Sequence, residues 1–241
     1  MIKTIIVCVD YYDILALTLP HNKNVLDSIL VVSAPQDFKT LDVCEKNGIE
    51  CYQTDAFYRK GAAFNKGLAI EEAFDVVGRD NWILILDADI IVPREFATCQ
   101  DMLDPTFIHG SRRRVLSKFA SDSPEISNHA LWVDSCPAIA ENGPYGYFQL
   151  FHGSDPVLQR RPWYPIDWGY AAGCDDEFMG LWSKKNIMWL PFYVLHLGDS
   201  CQNWCGRVTP FVGGKVPALA AKRLDVLNKF NSGKLHRKVK K

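Results

Sequence analysis

The sequence lacks any long hydrophobic run, and no stretch approaches the roughly 18 apolar residues that a membrane-spanning helix needs. The apolar run at residues 5–9 is too short for the core of a secretory signal, and Asp10 interrupts it. Excess charge is also missing, because the formal net charge is −1. This argues against a molecule that binds nucleic acid through its overall charge. We therefore expect a cytoplasmic protein.

Regularly spaced cysteines are missing as well. Eight cysteines occur at irregular spacings, and a chain of 241 residues that is 48% hydrophobic can form a core without disulfides. We expect reduced thiols. Cys201 and Cys205 have the spacing of half a zinc site, but no second Cys or His pair at a suitable spacing accompanies them, which disfavours that interpretation.

Positive charge is concentrated in two places. Arg112, Arg113 and Arg114 are consecutive, and residues 234–241 are rich in lysine. A solvated surface and tail would explain both runs. Contact with a polyanionic acceptor such as DNA is the alternative.

Strand patterns and helix patterns alternate in the first hundred residues. β-branched runs are typical of buried parallel strands, and apolar residues at helical spacing indicate helices that pack on a sheet. The expected strands are residues 2–9, 28–33, 49–52 and 81–89, and the expected helices are residues 13–20, 39–47 and 61–76. This order predicts an α/β domain with a Rossmann-like, mostly parallel sheet flanked by helices and a crevice of nucleotide size.

Asp87 and Asp89 end the apolar strand that begins at Asn81. Residues two apart in a strand point to the same face, so the two carboxylates are placed to converge on one cation at the carboxyl end of the sheet. Oxygen ligands at such an edge suit Mg²⁺ or Mn²⁺ that bridges to a diphosphate. A turn or a helix cap is the alternative interpretation of the pair.

The second half is less regular. From about residue 101 the alternation fades into a segment rich in Pro, Gly, Trp and Tyr, whose rings can form flat platforms for sugars or bases. Asp175 and Asp176 lie at the start of an expected helix, where the helix dipole favours carboxylates. His196 lies near the end of an apolar strand and would, taken alone, be interpreted as a core histidine.

Four segments carry motifs in a defined order. Residues 59–67 contain a basic residue followed by Asn65 and Gly67, Asp87-Ala88-Asp89 forms an Asp-x-Asp motif, and residues 168–177 run from Trp-Gly to Asp-Asp-Glu. His196 follows late in the chain. Together they resemble the metal-dependent glycosyltransferases of the GT-A fold, in particular the family-two and β-1,4-galactosyltransferase-like enzymes. Cys174 stands where those galactosyltransferases have Glu.

The resemblance implies a GT-A fold and transfer of a sugar, with inversion, from a nucleotide-diphosphate donor to an acceptor hydroxyl, with a UDP-sugar as the expected donor. It implies Mn²⁺ or Mg²⁺ as cofactor, held by Asp87, Asp89 and His196, and Asp175 as catalytic base with Asp176 beside it. Contacts to the donor are expected from Asp10, Asp37, Lys60, Asn65, Asp87 and Arg207, the last in a lid.

The expected organisation is one integrated domain in three segments. Residues 1–100 would bind the nucleotide sugar, residues 101–210 would bind the acceptor and carry out catalysis, and residues 211–241 would form a C-terminal helix and a basic tail.

Two other functions remain open at this stage. A sugar nucleotidyltransferase would share the sheet, but it needs a glycine-rich loop after the first strand, where this chain has Asp10-Tyr11-Tyr12-Asp13. A non-catalytic carbohydrate- or nucleic-acid-binding module is the other. For an enzyme, the acceptor could be a glycan or a hydroxymethylated base in DNA.

Overall fold

A computed structural model describes residues 1–199 and 202–234. The strands are β1 (Ile2–Val7), β2 (Ser28–Ser33), β3 (Glu50–Gln53), β4 (Trp82–Asp87), β5 (Ile90–Ile91), β6 (Ile108–Leu116), β7 (Phe148–His152) and β8 (Ile187–Leu197). The helices are α1 (Tyr12–Asn22), α2 (Phe38–Asn47), α3 (Lys66–Val77), α4 (Pro124–Ser127), α5 (Trp132–Ser135), α6 (Cys174–Met179) and α7 (Ala220–Asn231). None of the helices in these two ranges is long and apolar enough to cross a membrane.

All eight strands form one sheet, in the order β3-β2-β1-β4-β7-β6-β8-β5. Strands β3, β2, β1 and β4 are parallel to one another. Strand β7 is antiparallel to both β4 and β6, and β8 is parallel to β6 and antiparallel to β5. The predicted mostly parallel α/β sheet with flanking helices is therefore confirmed. The parallel strands place their carboxyl ends at one edge, where ligands bind in open α/β sheets.

The core lies on both faces of the sheet, because alternate strand residues point in opposite directions. Ile5 and Ile83 pack on one face with Phe74 of α3, whereas Ile6 and Leu84 pack on the other face with Leu15 of α1. These side chains are fully buried. Burial of each contributes about 1.5–3 kcal/mol.

Two of the predicted helices have different ends in the structure. Pro20 lies inside α1 and does not end it, since the helix continues to Asn22. The helix expected from residue 61 begins only at Lys66, because the Asn65 side chain accepts a hydrogen bond from the backbone N–H of Leu68 and caps it. Residues 56–61 form 3₁₀ turns instead.

The second half adds β6, β7 and β8 to the sheet, and only β8 was expected from the sequence. Its β6 was hidden in the sequence by Arg112, Arg113 and Arg114, which are not typical strand residues. Their guanidinium groups lie over the rings of Trp189, Tyr147 and Tyr193, respectively, which makes a basic strand tolerable here.

Candidate active site

A cavity of about 630 Å³ lies at the carboxyl ends of β1 and β4. We call one wall the strand side; it is formed by Lys66, Asp87, Asp89 and His196. Another part of the wall comes from β6, the irregular segment before β7 and the start of α6, and we call it the loop side; it is formed by Arg113, Glu141, Tyr145, Gly146, Asp175 and Asp176.

Lys66 and Asp87 form an ion pair on the strand side. Lys66, the first residue of α3, donates from Nζ to Asp87 Oδ1 at 2.5 Å and to the carbonyl oxygen of Gly146 at 3.3 Å. Burial opposes the charge of Lys66, but the Asp87 and Asp175 carboxylates prevail and raise its pKa above the ordinary lysine value. Burial raises the pKa of Asp87 despite this cation. Lys66 is therefore a fixed positive charge in the cavity wall.

Asp89 and His196 meet beside this pair. His196 Nε2, on β8, lies 3.5 Å from Asp89 Oδ2, in the turn after β4. Burial would raise the pKa of Asp89, but His196 lowers it below the ordinary value. Asp89 Oδ1 and His196 Nδ1 are buried and have no hydrogen-bond partner within the described ranges. Such unsatisfied atoms are costly unless a ligand completes them.

These features fit a divalent cation. Two ligands about 2.1 Å from one ion, on adjacent octahedral positions, lie about 3 Å apart, close to the Asp89–His196 separation. Among residues 1–199 and 202–234, however, no three Asp, Glu, His or Cys side chains form a group that could hold a metal. Asp87 is engaged by Lys66 instead. The structure thus brings together two of the three predicted ligands, and diphosphate oxygens and water are the usual remaining ligands of such an ion.

Asp175 and Asp176 lie in the first turn of α6 and line the same cavity as the predicted ligands. The backbone N–H of Gly146 donates to Asp175 Oδ2 at 2.9 Å and fixes its carboxylate. A Cβ atom at Gly146 would lie 2.8 Å from that oxygen, so only glycine allows this approach. Burial and the charge of Asp175 raise the pKa of Asp176.

Arg113 and Glu141 form a second ion pair, on the loop side. Arg113 Nε donates to Glu141 Oε1 at 2.7 Å, and the two side chains are only 12% and 5% exposed. The Arg113 guanidinium lies 4.4 Å from the centre of the Tyr147 ring. No local signal in the sequence marks Glu141, because its partner is 28 residues away.

Two of the predicted donor-binding residues do not line the cavity. Asp37 is buried, caps α2 and accepts hydrogen bonds from Thr40 and from the backbone N–H of Asp10. Asp10 itself has a φ of 57° and forms an ion pair with Arg223 of α7. Asp10 lies in the segment after β1, which ends at Val7, and Asp37 lies in the segment after β2, which ends at Ser33. Each carboxylate is already bonded to a partner.

Lys60 and Asn65 are also outside the cavity wall. Lys60 is exposed in the 3₁₀ segment, and Asn65 caps α3 and donates to the carbonyl oxygen of Ile166 at 2.8 Å. The lysine that lines the cavity is Lys66, not Lys60, which the sequence suggested for contact with the donor. The helix dipole disfavours a lysine in the first turn of a helix. The position of Lys66 could therefore have indicated that its charge is balanced by a carboxylate elsewhere in the protein.

Arg207 does line the cavity. Its guanidinium forms an ion pair with Asp13 and lies between the rings of Tyr11 and Phe211, at 4.5 Å and 4.3 Å from their centres. The side chain is 2% exposed. Arg207 thereby fastens the segment after β8 to the start of α1.

The basic run on β6 is used inside the protein. Besides the Arg113–Glu141 pair, Arg114 donates to the carbonyl oxygens of Val133 and Cys136, at 3.1 Å and 3.0 Å. Arg112 remains exposed. Most of the predicted basic tail, residues 235–241, and Cys201 lie outside the described residues. The other seven cysteines are free thiols.

Comparisons by sequence give no match, either to a family model or to a curated protein. Solved structures do match. A mannosyltransferase from Pyrobaculum calidifontis, solved with GDP-mannose and Mn²⁺, superposes with a TM-score of 0.52 at 15% identity, over 81% of this chain and 56% of the other. This chain thus spans little more than half the length of that enzyme.

Two further structures resemble the chain less closely. A glucosyl-3-phosphoglycerate synthase from Mycobacterium tuberculosis gives a TM-score of 0.49 at 12% identity, over 96% of this chain and 79% of the other. A mannosyl-3-phosphoglycerate synthase from Rubrobacter xylanophilus gives 0.47 at 12% identity, over 98% and 76%. The sheet order, the cavity at its carboxyl edge and the superposition on the Pyrobaculum enzyme together show that this chain has the GT-A glycosyltransferase fold.

Proposed function

We propose that the protein transfers a sugar from a nucleotide-diphosphate donor to an acceptor hydroxyl, with a divalent cation and with inversion at the anomeric carbon. The observation that carries this proposal is the shared cavity. A buried Asp89–His196 pair with unsatisfied atoms lies on its strand side, and a fixed carboxylate, Asp175, lies on its loop side. UDP is the expected nucleotide.

The cation would be held by Asp89 and His196, with Asp87 nearby. When bound, Mn²⁺ or Mg²⁺ neutralises the negative charge that develops on the leaving diphosphate. His196 would bind the cation through Nε2, which lies 3.5 Å from Asp89 Oδ2. The unsatisfied Asp89 Oδ1 supports this assignment, because a cation held by that carboxylate removes the cost of burying it.

Lys66 supplies a second positive charge. Its ammonium lies between Asp87 and the Gly146 carbonyl, and Asp175 is near enough to raise its pKa. We assign to Lys66 the electrostatic contact with the donor phosphates that the sequence suggested for Lys60. The charge costs no reorganisation when the diphosphate leaves, because the two oxygen atoms already hold the ammonium in place.

Asp175 is the proposed base. The acceptor oxygen forms a bond to the anomeric carbon as the bond to the diphosphate breaks, and the acceptor proton moves to a carboxylate oxygen of Asp175. The hydrogen bond from Gly146 orients that carboxylate. Asp175 lines the same cavity as the predicted metal ligands. We propose that the acceptor attacks from the Asp175 side in line with the leaving group, which inverts the configuration.

The nucleoside is expected near Arg207 and Asp10. Arg207 already lines the cavity, whereas Asp10 reaches a ligand only after exchange of its Arg223 partner. Asp37 supports Asp10 by accepting its backbone N–H at 2.7 Å. The acceptor proposed from the sequence is a glycan or a hydroxymethylated base in DNA.

The test uses the purified chain with a panel of UDP- and GDP-sugars, in Mn²⁺ and in EDTA. We expect release of the nucleoside diphosphate from at least one donor in Mn²⁺ and none in EDTA. With an accepted sugar, NMR of the product should show inverted anomeric configuration. Cleavage that persists in EDTA, or a product with retained configuration, would contradict the proposal.

A further inference from the structure

Each cation that lines the cavity is already bonded to a carboxylate. Lys66 pairs with Asp87, Arg113 pairs with Glu141, and Arg207 pairs with Asp13. The Lys, Arg and Glu side chains of these pairs are 12% exposed or less. Within the described part of the chain, every Lys and Arg that lines the cavity therefore has a carboxylate partner, and on the loop side the only such cation, Arg113, is neutralised by Glu141.

Carboxylates are in excess on the same surface. Asp175, Asp176 and Asp199 line the cavity and form no ion pair with residues 1–199 or 202–234. A divalent cation on the strand side would be largely offset by the donor diphosphate. The loop side therefore remains negative when the donor is bound, and a phosphate or carboxylate on the acceptor would lie against like charge.

The loop side nevertheless offers many hydrogen-bond acceptors. A carboxylate only accepts hydrogen bonds, so the free oxygen atoms of Glu141, Asp175 and Asp176 match the O–H donors of a polyol. Tyr145 lines the same cavity as these carboxylates. Burial and the charges of Asp176, Glu141 and Asp175 raise the pKa of its hydroxyl. Its ring is a flat, partly exposed face beside three carboxylates, a combination that suits a sugar ring.

We propose that the acceptor is an uncharged sugar that lies against Tyr145, between Glu141 and the Asp175–Asp176 pair, and that the Arg113–Glu141 pair makes the site select against anionic acceptors. Glu141 neutralises Arg113 and keeps one carboxylate oxygen for an acceptor hydroxyl. This inference rests on the proposed glycosyl transfer. Of the two acceptor classes left open by the sequence, a glycan and a hydroxymethylated base in DNA, it selects the glycan.

The acceptor test compares matched pairs. With Mn²⁺ and the donor that is cleaved, p-nitrophenyl glycosides are compared with the same glycosides carrying a 6-phosphate, and with duplex DNA containing 5-hydroxymethylcytosine. We expect kcat/KM for the best neutral glycoside to exceed that of its phosphate at least about a hundredfold, because like charges would be brought together. A phosphorylated acceptor that is used equally well, or DNA that is used better than any glycoside, would overturn the inference.

A charge change at Glu141 tests the selectivity directly. Glu141→Gln leaves the Arg113 guanidinium without its carboxylate, so the preference for neutral over phosphorylated acceptor should fall at least about tenfold, mainly through KM. Glu72→Gln is the matched control, since Glu72 pairs with Arg59 outside the cavity, and it should leave the ratio unchanged. An unchanged ratio in a folded Glu141→Gln would overturn the assigned role.

A second variant keeps the inference testable if Glu141→Gln does not fold. Tyr145→Ala removes the ring and should raise KM for the neutral acceptor roughly tenfold, the order of one lost stacking contact, with UDP affinity unchanged. An unchanged KM would contradict the placement of the sugar. UDP binding in the presence of Mn²⁺ separates the two proposals. If UDP does not bind, the proposed glycosyl transfer is wrong. If UDP binds but an anionic acceptor is preferred, only the inference about the acceptor is wrong.

Discussion

The two sides of the cavity differ in how their side chains are held. On the strand side, Asp87, Asp89 and His196 stand in or directly after strands of the central sheet, and their positions follow from strand register. On the loop side, Glu141, Tyr145 and Gly146 come from a segment without regular structure, fixed by single contacts such as the Arg113–Glu141 pair. A scaffold of this kind can keep the donor chemistry constant while the acceptor contacts change.

The largest expected effect is on the loop side. Asp175→Asn should lower the rate of transfer by about 10²–10⁴ while UDP affinity stays unchanged, because an amide cannot take the acceptor proton. Initial rates and calorimetric titration measure the two quantities. Asp176→Asn is the matched control and should lose less; if it carries the whole loss instead, the base is Asp176.

A smaller loss is expected from moving that base without removing it. Gly146→Ala places a Cβ atom 2.8 Å from Asp175 Oδ2 and should displace the carboxylate, lowering transfer up to about a hundredfold with UDP binding intact. Gly143→Ala is the control, because its Cβ would meet only the flexible end of the Met179 side chain. Equal rates in the two variants would show that the position of Asp175 is unimportant.

Arg223→Gln tests the expected contact between Asp10 and the nucleoside. The substitution releases Asp10, and if Asp10 contacts the nucleoside, affinity for UDP should rise by up to about fivefold, the range of a partly exposed ion pair. Lys229→Gln breaks an exposed ion pair on the same helix and should leave affinity unchanged. A weaker complex with Arg223→Gln would mean that the arginine itself binds the nucleotide.

The smallest effect concerns stability and pH. Folding raises the pKa of Asp176 above the ordinary value of 3.8, so its charged form opposes folding at neutral pH. Asp176→Asn should therefore stabilise the protein at pH 7, by less than about 1 kcal/mol because the side chain is partly in water. The gain should disappear as the pH falls through the raised pKa of Asp176. Thermal unfolding from pH 7 to pH 4 measures it, and a constant difference would contradict the assignment.

The sequence predicted the strand side better than the loop side for a physical reason. Apolar runs that end in polar residues define strand ends locally, so the α/β sheet and the placement of Asp87, Asp89 and His196 in the cavity followed from pattern and resemblance. Lys66 was overlooked in favour of Lys60 because the helix start depends on the cap at Asn65.

The loop side depends on contacts between distant segments. Arg113 and Glu141 meet because residues 137–139 run beside β6, where the backbone N–H of Ile139 donates to the carbonyl oxygen of Arg113. No pattern in residues 108–147 predicts that pairing. Asp10 and Asp37 follow the first two strands, but the ion pair of Asp10 with Arg223 joins residues 213 positions apart. Pairings over such distances are set by tertiary packing, which a local pattern does not encode.

The central claim is that the strand side binds a nucleotide diphosphate through a divalent cation at Asp89 and His196. Calorimetric titration of UDP in Mn²⁺ and in EDTA tests it directly, with Asp89→Asn and with Asp42→Asn as a surface control whose Lys46 partner is also exposed. We predict Mn²⁺-dependent binding in the wild type and Asp42→Asn, and at least a tenfold loss in Asp89→Asn. UDP affinity that is equal in all three proteins, or independent of Mn²⁺, would contradict the account.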